Sequence, residues 1–75
     1  MFLRVLRDMR QEAHLTQRQV AERLEHHQAF VSRSETGERR LDVIELRALC
    51  HAMGIPLRQF IDRLEAGLEA RDGAS

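Results

Sequence analysis

Between positions 28 and 36 the order Gln28-Ala29-Phe30-Val31-Ser32-Arg33-Ser34-Glu35-Thr36 sorts, at 100° per residue, into two helical faces of opposite character. Gln28, Ala29, Ser32, Arg33 and Thr36 share one face, polar or small throughout. Gln, Ser and Arg are side chains that pair with base edges in a DNA major groove. Val31, Ser34 and Glu35 share the other face, with Phe30 at a border. A solvated helix face has the same pattern, so the segment must be weighed with its surroundings.

Two flanking groups suit phosphate. Gln17 and Arg18 stand in the first turn of the preceding helical pattern, where free N–H groups and the positive dipole end favour an anion. Arg39 and Arg40 follow the polar segment directly, a place from which a basic pair reaches a nucleic-acid backbone. Glu35 is the odd residue, because a carboxylate on an inward face costs several kcal/mol unless a cation accompanies it. Arg10, at the rim of the first helix's apolar stripe, is the candidate, and an Arg10–Glu35 ion pair is predicted.

Other chemistry is thin. His14, His26, His27, Cys50 and His51 form no recognised metal-ligand spacing, and Cys50 and His51 project about 100° apart on a helix. Cys50 falls on an inward stripe and reads as core. There is no phosphate-binding glycine loop, carboxylate dyad or serine-histidine arrangement, so neither an enzyme nor a metal or other cofactor is expected.

The elements that must hold these residues are all helical. Phe2, Val5, Leu6, Met9 and Ala13 mark an amphipathic first helix. Thr16 with Gln19 is a capping box, and Leu15 with Val20 a hydrophobic staple, opening a second helix that runs to about Leu24. The third runs from Gln28 to about Thr36 and ends at Gly37. Asp42 and Glu45 cap a fourth, Val43 to Met53, expected to bury Val43, Leu46, Leu49, Cys50 and Met53. Ile44, Ala48 and Ala52 form a second apolar strip opposite, expected to pack on the last helix or on a second subunit. Gly54 and Pro56 separate it from a fifth helix reaching about Ala70, in which Leu57, Phe60 and Ile61 close the core. Leu64 and Leu68 extend past that core and, with Ile44 and Ala48, are expected at a dimer contact.

Seventy-five residues, 43% hydrophobic and 32% charged, allow one small domain: residues 1–70, the paired helices at about 16–37, and a frayed end at 71–75. One cysteine forms no internal disulfide, the arginine-studded start breaks any signal-peptide core, and no run spans a membrane; a cytoplasmic protein is expected. Net charge is zero, which speaks against nucleic acid, yet residues 1–40 carry +2 and residues 41–75 carry −2. All twelve basic residues are arginine, the better bidentate partner of phosphate and guanine, although coding bias explains that as readily.

Taken together, LTQ, VA, L, FVSR, E, GERRLDV and EL, in that order from Leu15 to Leu46, resemble the helix-turn-helix of phage repressor and Cro-type proteins, the XRE family. The resemblance covers about Leu6 to Leu64. It implies a compact all-α five-helix domain in which the helix after the turn enters the major groove and the start of the preceding helix rests on the backbone. Carried over, Gln17 grips a phosphate and Gln28 stands at the tip of the recognition helix. Ala29, Ser32 and Arg33 face bases, Arg33 suited to guanine, and Ala29 or Phe30 to a thymine methyl. Arg18, Phe30, Arg39 and Arg40 complete the backbone side. The implied function is a repressor that binds a palindromic operator as a homodimer, associated with the nucleoid when on DNA. An antitoxin with a toxin partner, or an interaction module without DNA binding, shares the fold.

Two departures stand out. Glu25 occupies a position where the family has glycine in a left-handed turn, so a turn of altered shape is expected. Ser34 replaces a large apolar residue, and its hydroxyl is expected to bond back to its own helix.

Overall fold

Each helix begins and ends where its local chemistry requires. In a computed structural model, which describes residues 1–73, the helices are α1 (Phe2–Glu12), α2 (Gln17–Leu24), α3 (Gln28–Thr36), α4 (Val43–Ala52) and α5 (Leu57–Gly73). Both capping boxes form. Thr16 Oγ1 accepts from the Gln19 N–H at 3.0 Å while Gln19 Oε1 accepts from the Thr16 N–H at 2.8 Å. Asp42 Oδ1 accepts from the Glu45 N–H at 2.7 Å, and Glu45 Oε1 returns the bond to the Asp42 N–H at 3.0 Å.

Three helices stop in the same way. The N–H of Leu15 donates to the Arg10 carbonyl, that of His26 to Ala21, and that of Ile55 to Cys50, each after a residue with left-handed backbone. In the third case that residue is Gly54, but in the first two it is His14, at φ 58°, and Glu25, at φ 56°. The expectation of an altered turn at Glu25 is therefore overturned: the left-handed turn is kept and the side chain carries the steric cost. Glu25→Gly is expected to raise stability by about 0.5–1 kcal/mol in chemical denaturation. A fall instead would mean that the Glu25 side chain stabilises the turn.

The core lies between α1 and the other helices. α1 packs against α3 and α5, α2 against α3 and α4, and α4 against α5. Met9, Val20, Val31, Leu49, Cys50 and Phe60 are almost fully buried at its centre, and Phe2 meets Phe60 edge to face at 5.3 Å. Gly37, at φ 84°, ends α3 against α1: a Cβ there would lie 3.0 Å from Leu3 Cδ1. Ser34 is buried, and its hydroxyl donates to the Phe30 carbonyl at 2.7 Å, as the sequence suggests. Arg23 donates to the Ala52 carbonyl at 2.9 Å and so closes the C-terminal end of α4 with a cation.

Several positions depart from the wheel. Val43, expected inside, is 65% exposed, because the first turn of α4 points Leu46 rather than Val43 into the core. Ala52, assigned to the outer strip, is buried where α2 approaches α4. Ile61, expected to help close the core, is 41% exposed beside the fully buried Phe60. Leu64, expected to lie past the core, packs against it. α5 continues through residues 71–73, part of the segment expected to fray, and positions 74 and 75 lie outside the described residues. None of the described helices is long and apolar enough to cross a membrane.

Candidate nucleic-acid interface

The inward side of α3 is held by a charged cluster. Arg10 Nε donates to Glu35 Oε2 at 2.6 Å and Nη2 to Oε1 at 3.0 Å, a two-pronged pair from α1 to α3. Arg10 Nη1 donates at 2.8 Å to the Leu15 carbonyl, just ahead of α2. Gln17 completes the cluster, its Nε2 donating to Glu35 Oε1 at 3.2 Å. With side-chain exposures of 13% and 5%, Arg10 and Glu35 are well shielded from water, and their bonds tie the start of α2 and the last turn of α3 to α1. The predicted ion pair is present. The role of Gln17 in it was not read from the sequence; Gln17 and Glu35 stand 18 residues apart and meet only through the turn.

With that side anchored, the opposite side of α3 is free. Gln28, Ala29, Arg33 and Thr36 are exposed, and Ser32 is half-buried among them. Arg33 approaches Glu38 at 3.9 Å, a solvated contact that is readily exchanged. Arg18, at the start of α2, is exposed and lies 3.4 Å from Glu22 one turn on. Arg40 is exposed and makes no ion pair with a described residue.

Arg39 and Phe30 are engaged differently from their neighbours. The Arg39 guanidinium lies 4.6 Å from the centre of the Phe30 ring, and Nη2 donates to Glu45 Oε2 at 2.6 Å. On the ring's flank, His26 approaches to 4.2 Å. Phe30 is half-buried and packs against the core. The stack joins the turn, α3, the following loop and α4. The sequence holds no helical pairing rule for it, since His26 precedes the N-cap of α3, and the capping-box glutamate with one carboxylate oxygen free does not say which arginine it takes.

The Arg39 hydrogen bond, joined by the Asp42 N–H, holds the Glu45 carboxyl below its ordinary value of 4.5, and Glu45 in turn raises the Arg39 guanidinium. Because the folded value is the lower one, this contribution to stability is complete above about pH 4.5 and is lost as pH falls through the lowered value. Arg39→Gln is expected to return Glu45 toward 4.5 in an NMR-monitored titration; an unmoved carboxyl would assign the effect to Asp42 alone. Arg63 likewise lowers the Glu12 carboxyl by a two-pronged hydrogen bond, at 2.8 Å for each prong, between α5 and α1.

Cys50 is buried, and burial pushes its thiol up to about 11, the reverse of what a nucleophile needs. Among the described residues no group of three His, Cys, Asp or Glu side chains could hold a metal ion. The site's resources are hydrogen bonding, charge and shape.

Comparison with known proteins agrees with this geometry. A family model described as "Helix-turn-helix" matches residues 6–60, which include the Arg10–Glu35 pair, the turn and the exposed side of α3. Among solved structures, the "XRE-family like protein from Pseudomonas syringae pv. tomato str. DC3000" is 42% identical, with a TM-score of 0.82 over 87% of this chain and 79% of that one. No curated protein matches.

Proposed function

The chain belongs to the XRE-type helix-turn-helix family of DNA-binding regulators, and on that premise we propose that it is a sequence-specific repressor. It binds a palindromic operator as a homodimer, in the cytoplasm at the nucleoid. The observation that carries the proposal is the exposed row Gln28, Ala29 and Arg33 on a helix whose opposite face is clamped through Glu35. A helix held so rigidly can present base-reading groups without first ordering them.

In this reading Gln28, Ala29, Ser32 and Arg33 face base edges, and Arg18, Arg40 and Gln17 meet phosphates. The Gln17 amide has two N–H donors, so the bond to Glu35 leaves one for the backbone. Phe30 and Arg39 brace the loop that presents Arg40.

Selection of bound duplexes from a random pool tests the proposal. A symmetric site with half-sites about 34 Å apart is the expected result. Affinity should fall steeply with salt; the absence of salt-sensitive affinity for any duplex would sink the reading. Arg40→Gln should weaken binding to all sequences alike and lower the salt slope by about one. Arg39→Gln should leave the slope unchanged, since its guanidinium is already neutralised by Glu45. Equal slope changes would place Arg39 on the phosphates after all.

A second reading, an antitoxin holding a partner protein on α4, is favoured by Val43 and Ile44, which stand 65% and 74% exposed side by side. Co-purification of a stoichiometric partner would support it.

A further inference from the structure

A concavity borders the proposed DNA surface without belonging to it. It lies where the start of α1 meets the end of α3 and the loop leading to α4, and it encloses about 270 Å³. Phe2, Leu3 and Leu41, all half-buried, supply its apolar walls, and Ser34 and Gly37 complete them from the α3 side. At about 30 Å³ for each water molecule, the space equals roughly nine waters, the bulk of a ligand of about eight to ten heavy atoms. No carboxylate lines it, and its charged residues are Arg39 and Arg40.

The two arginines differ in what they have left to give. Arg39 Nη2 is held by Glu45 Oε2 at 2.6 Å, and its Nη1 donates to the Arg40 carbonyl at 3.3 Å. Arg40 is exposed and forms no ion pair with a described residue. An apolar concavity with one uncommitted guanidinium at its rim suits a carboxylate, which that planar fork meets through two parallel hydrogen bonds. Ser34 gives the concavity its depth. It is 1% exposed, and its short side chain is turned back to the Phe30 carbonyl at 2.7 Å, leaving open the volume that a larger apolar residue would fill.

We propose that this groove binds a small apolar carboxylate, its body against Phe2, Leu3 and Leu41 and its charged end on Arg40. Arg40 is also the residue assigned above to DNA phosphate. A bound carboxylate cancels the charge that draws Arg40 to the backbone, so the ligand weakens the hold on DNA. That consequence rests on the DNA-binding reading, whereas the site itself does not.

Titration of the full chain without DNA, followed by the NMR methyl signals of Leu3 and Leu41, tests the site. Octanoate and phenylacetate are the probes. Acetate controls for charge alone and 1-octanol for the apolar body alone, all at one ionic strength. Saturable shifts are expected with at least one probe, at a Kd of about 1 mM or tighter; the better of the two tells a chain-like body from an aromatic one. Acetate should give no shift, and octanol should bind at least about fivefold more weakly than octanoate. Arg40→Gln should weaken the better probe about tenfold. Ser34→Leu should fill the groove and abolish binding with an unchanged helical circular dichroism spectrum; Leu3→Phe fills the same space from α1 and serves if Ser34→Leu does not fold. No saturable shift with either probe, octanol bound as tightly as octanoate, or undiminished binding by a folded filled variant would overturn the site.

A duplex selected by the parent chain then tests the consequence. At constant ionic strength, saturating probe should lower the parent's duplex affinity about three- to tenfold and leave that of the filled variant unchanged. An unchanged parent affinity would overturn the competition for Arg40. A chain that binds the probe by these criteria but binds no duplex sinks the DNA-binding reading alone.

Discussion

Glu35→Ala is expected to lower folding stability by about 3–5 kcal/mol, because it leaves a shielded charge without its partner. Removing the carboxylate leaves the Arg10 guanidinium with only the Leu15 carbonyl as partner, in a site where water reaches it poorly. It also strips Gln17 of its acceptor. A domain of 75 residues has a total stability of roughly 4–11 kcal/mol, so the loss takes a large fraction of it. Urea denaturation reads the change directly. The double substitution Arg10→Met with Glu35→Leu should recover most of the loss, because apolar side chains of similar size need no desolvation of charge. A double variant as unstable as Glu35→Ala would show that the hydrogen bonds to Leu15 and Gln17, not the uncompensated charge, decide the cost. The exposed Arg63–Glu12 pair is the natural control, and its removal should change little.

Arg33→Ala is expected to relax the preference at one base pair of each half-site by about 1–3 kcal/mol, or roughly 5- to 150-fold, while the other positions keep theirs. Arg33 is the exposed cation on the outer face of α3, and its contact with Glu38 at 3.9 Å is too loose to compete with a bidentate bond to guanine. The substitution exposes no buried group and should leave the melting temperature almost unchanged. Sites selected from a random pool by the parent and the variant would be compared position by position. Identical preferences would remove Arg33 from the base-reading face; a uniform loss across sequences would move it to the phosphates.

The difference between these two residues follows the division within α3. Glu35 and Arg33 are two positions apart, so the helix turns them to opposite sides. That opposition was legible because Val31 marks the inward direction and the polar set Gln28, Ala29, Ser32 and Arg33 marks the outward one. The Arg10–Glu35 pair was legible for a different reason, since a carboxylate on an inward face demands a cation and Arg10 stood at the rim of the only long stripe ahead of it. The Arg39–Phe30–His26 stack was not legible. Arg39 and Arg40 are adjacent and chemically identical, and which of them turns toward Glu45 depends on the path of the loop after Gly37.

Sequence by itself determined the number of helices, their caps and the two faces of α3, because capping boxes, staples and a 3.6-residue period act over a few neighbouring positions. Tertiary structure decided what each outward face meets. Packing of α2 on α4 buried Ala52, and the orientation of α4 that turns Leu46 inward left Val43 exposed. Placement of α5 put Leu64 on the core and left Ile61 at its rim. The left-handed turn at Glu25 was decided there too. Its local conformational cost is real, but the bond from His26 to Ala21 and the burial of Val20 and Val31 on either side outweigh it. Such balances involve residues brought together only by the fold, and a helical period read along the chain contains no term for them.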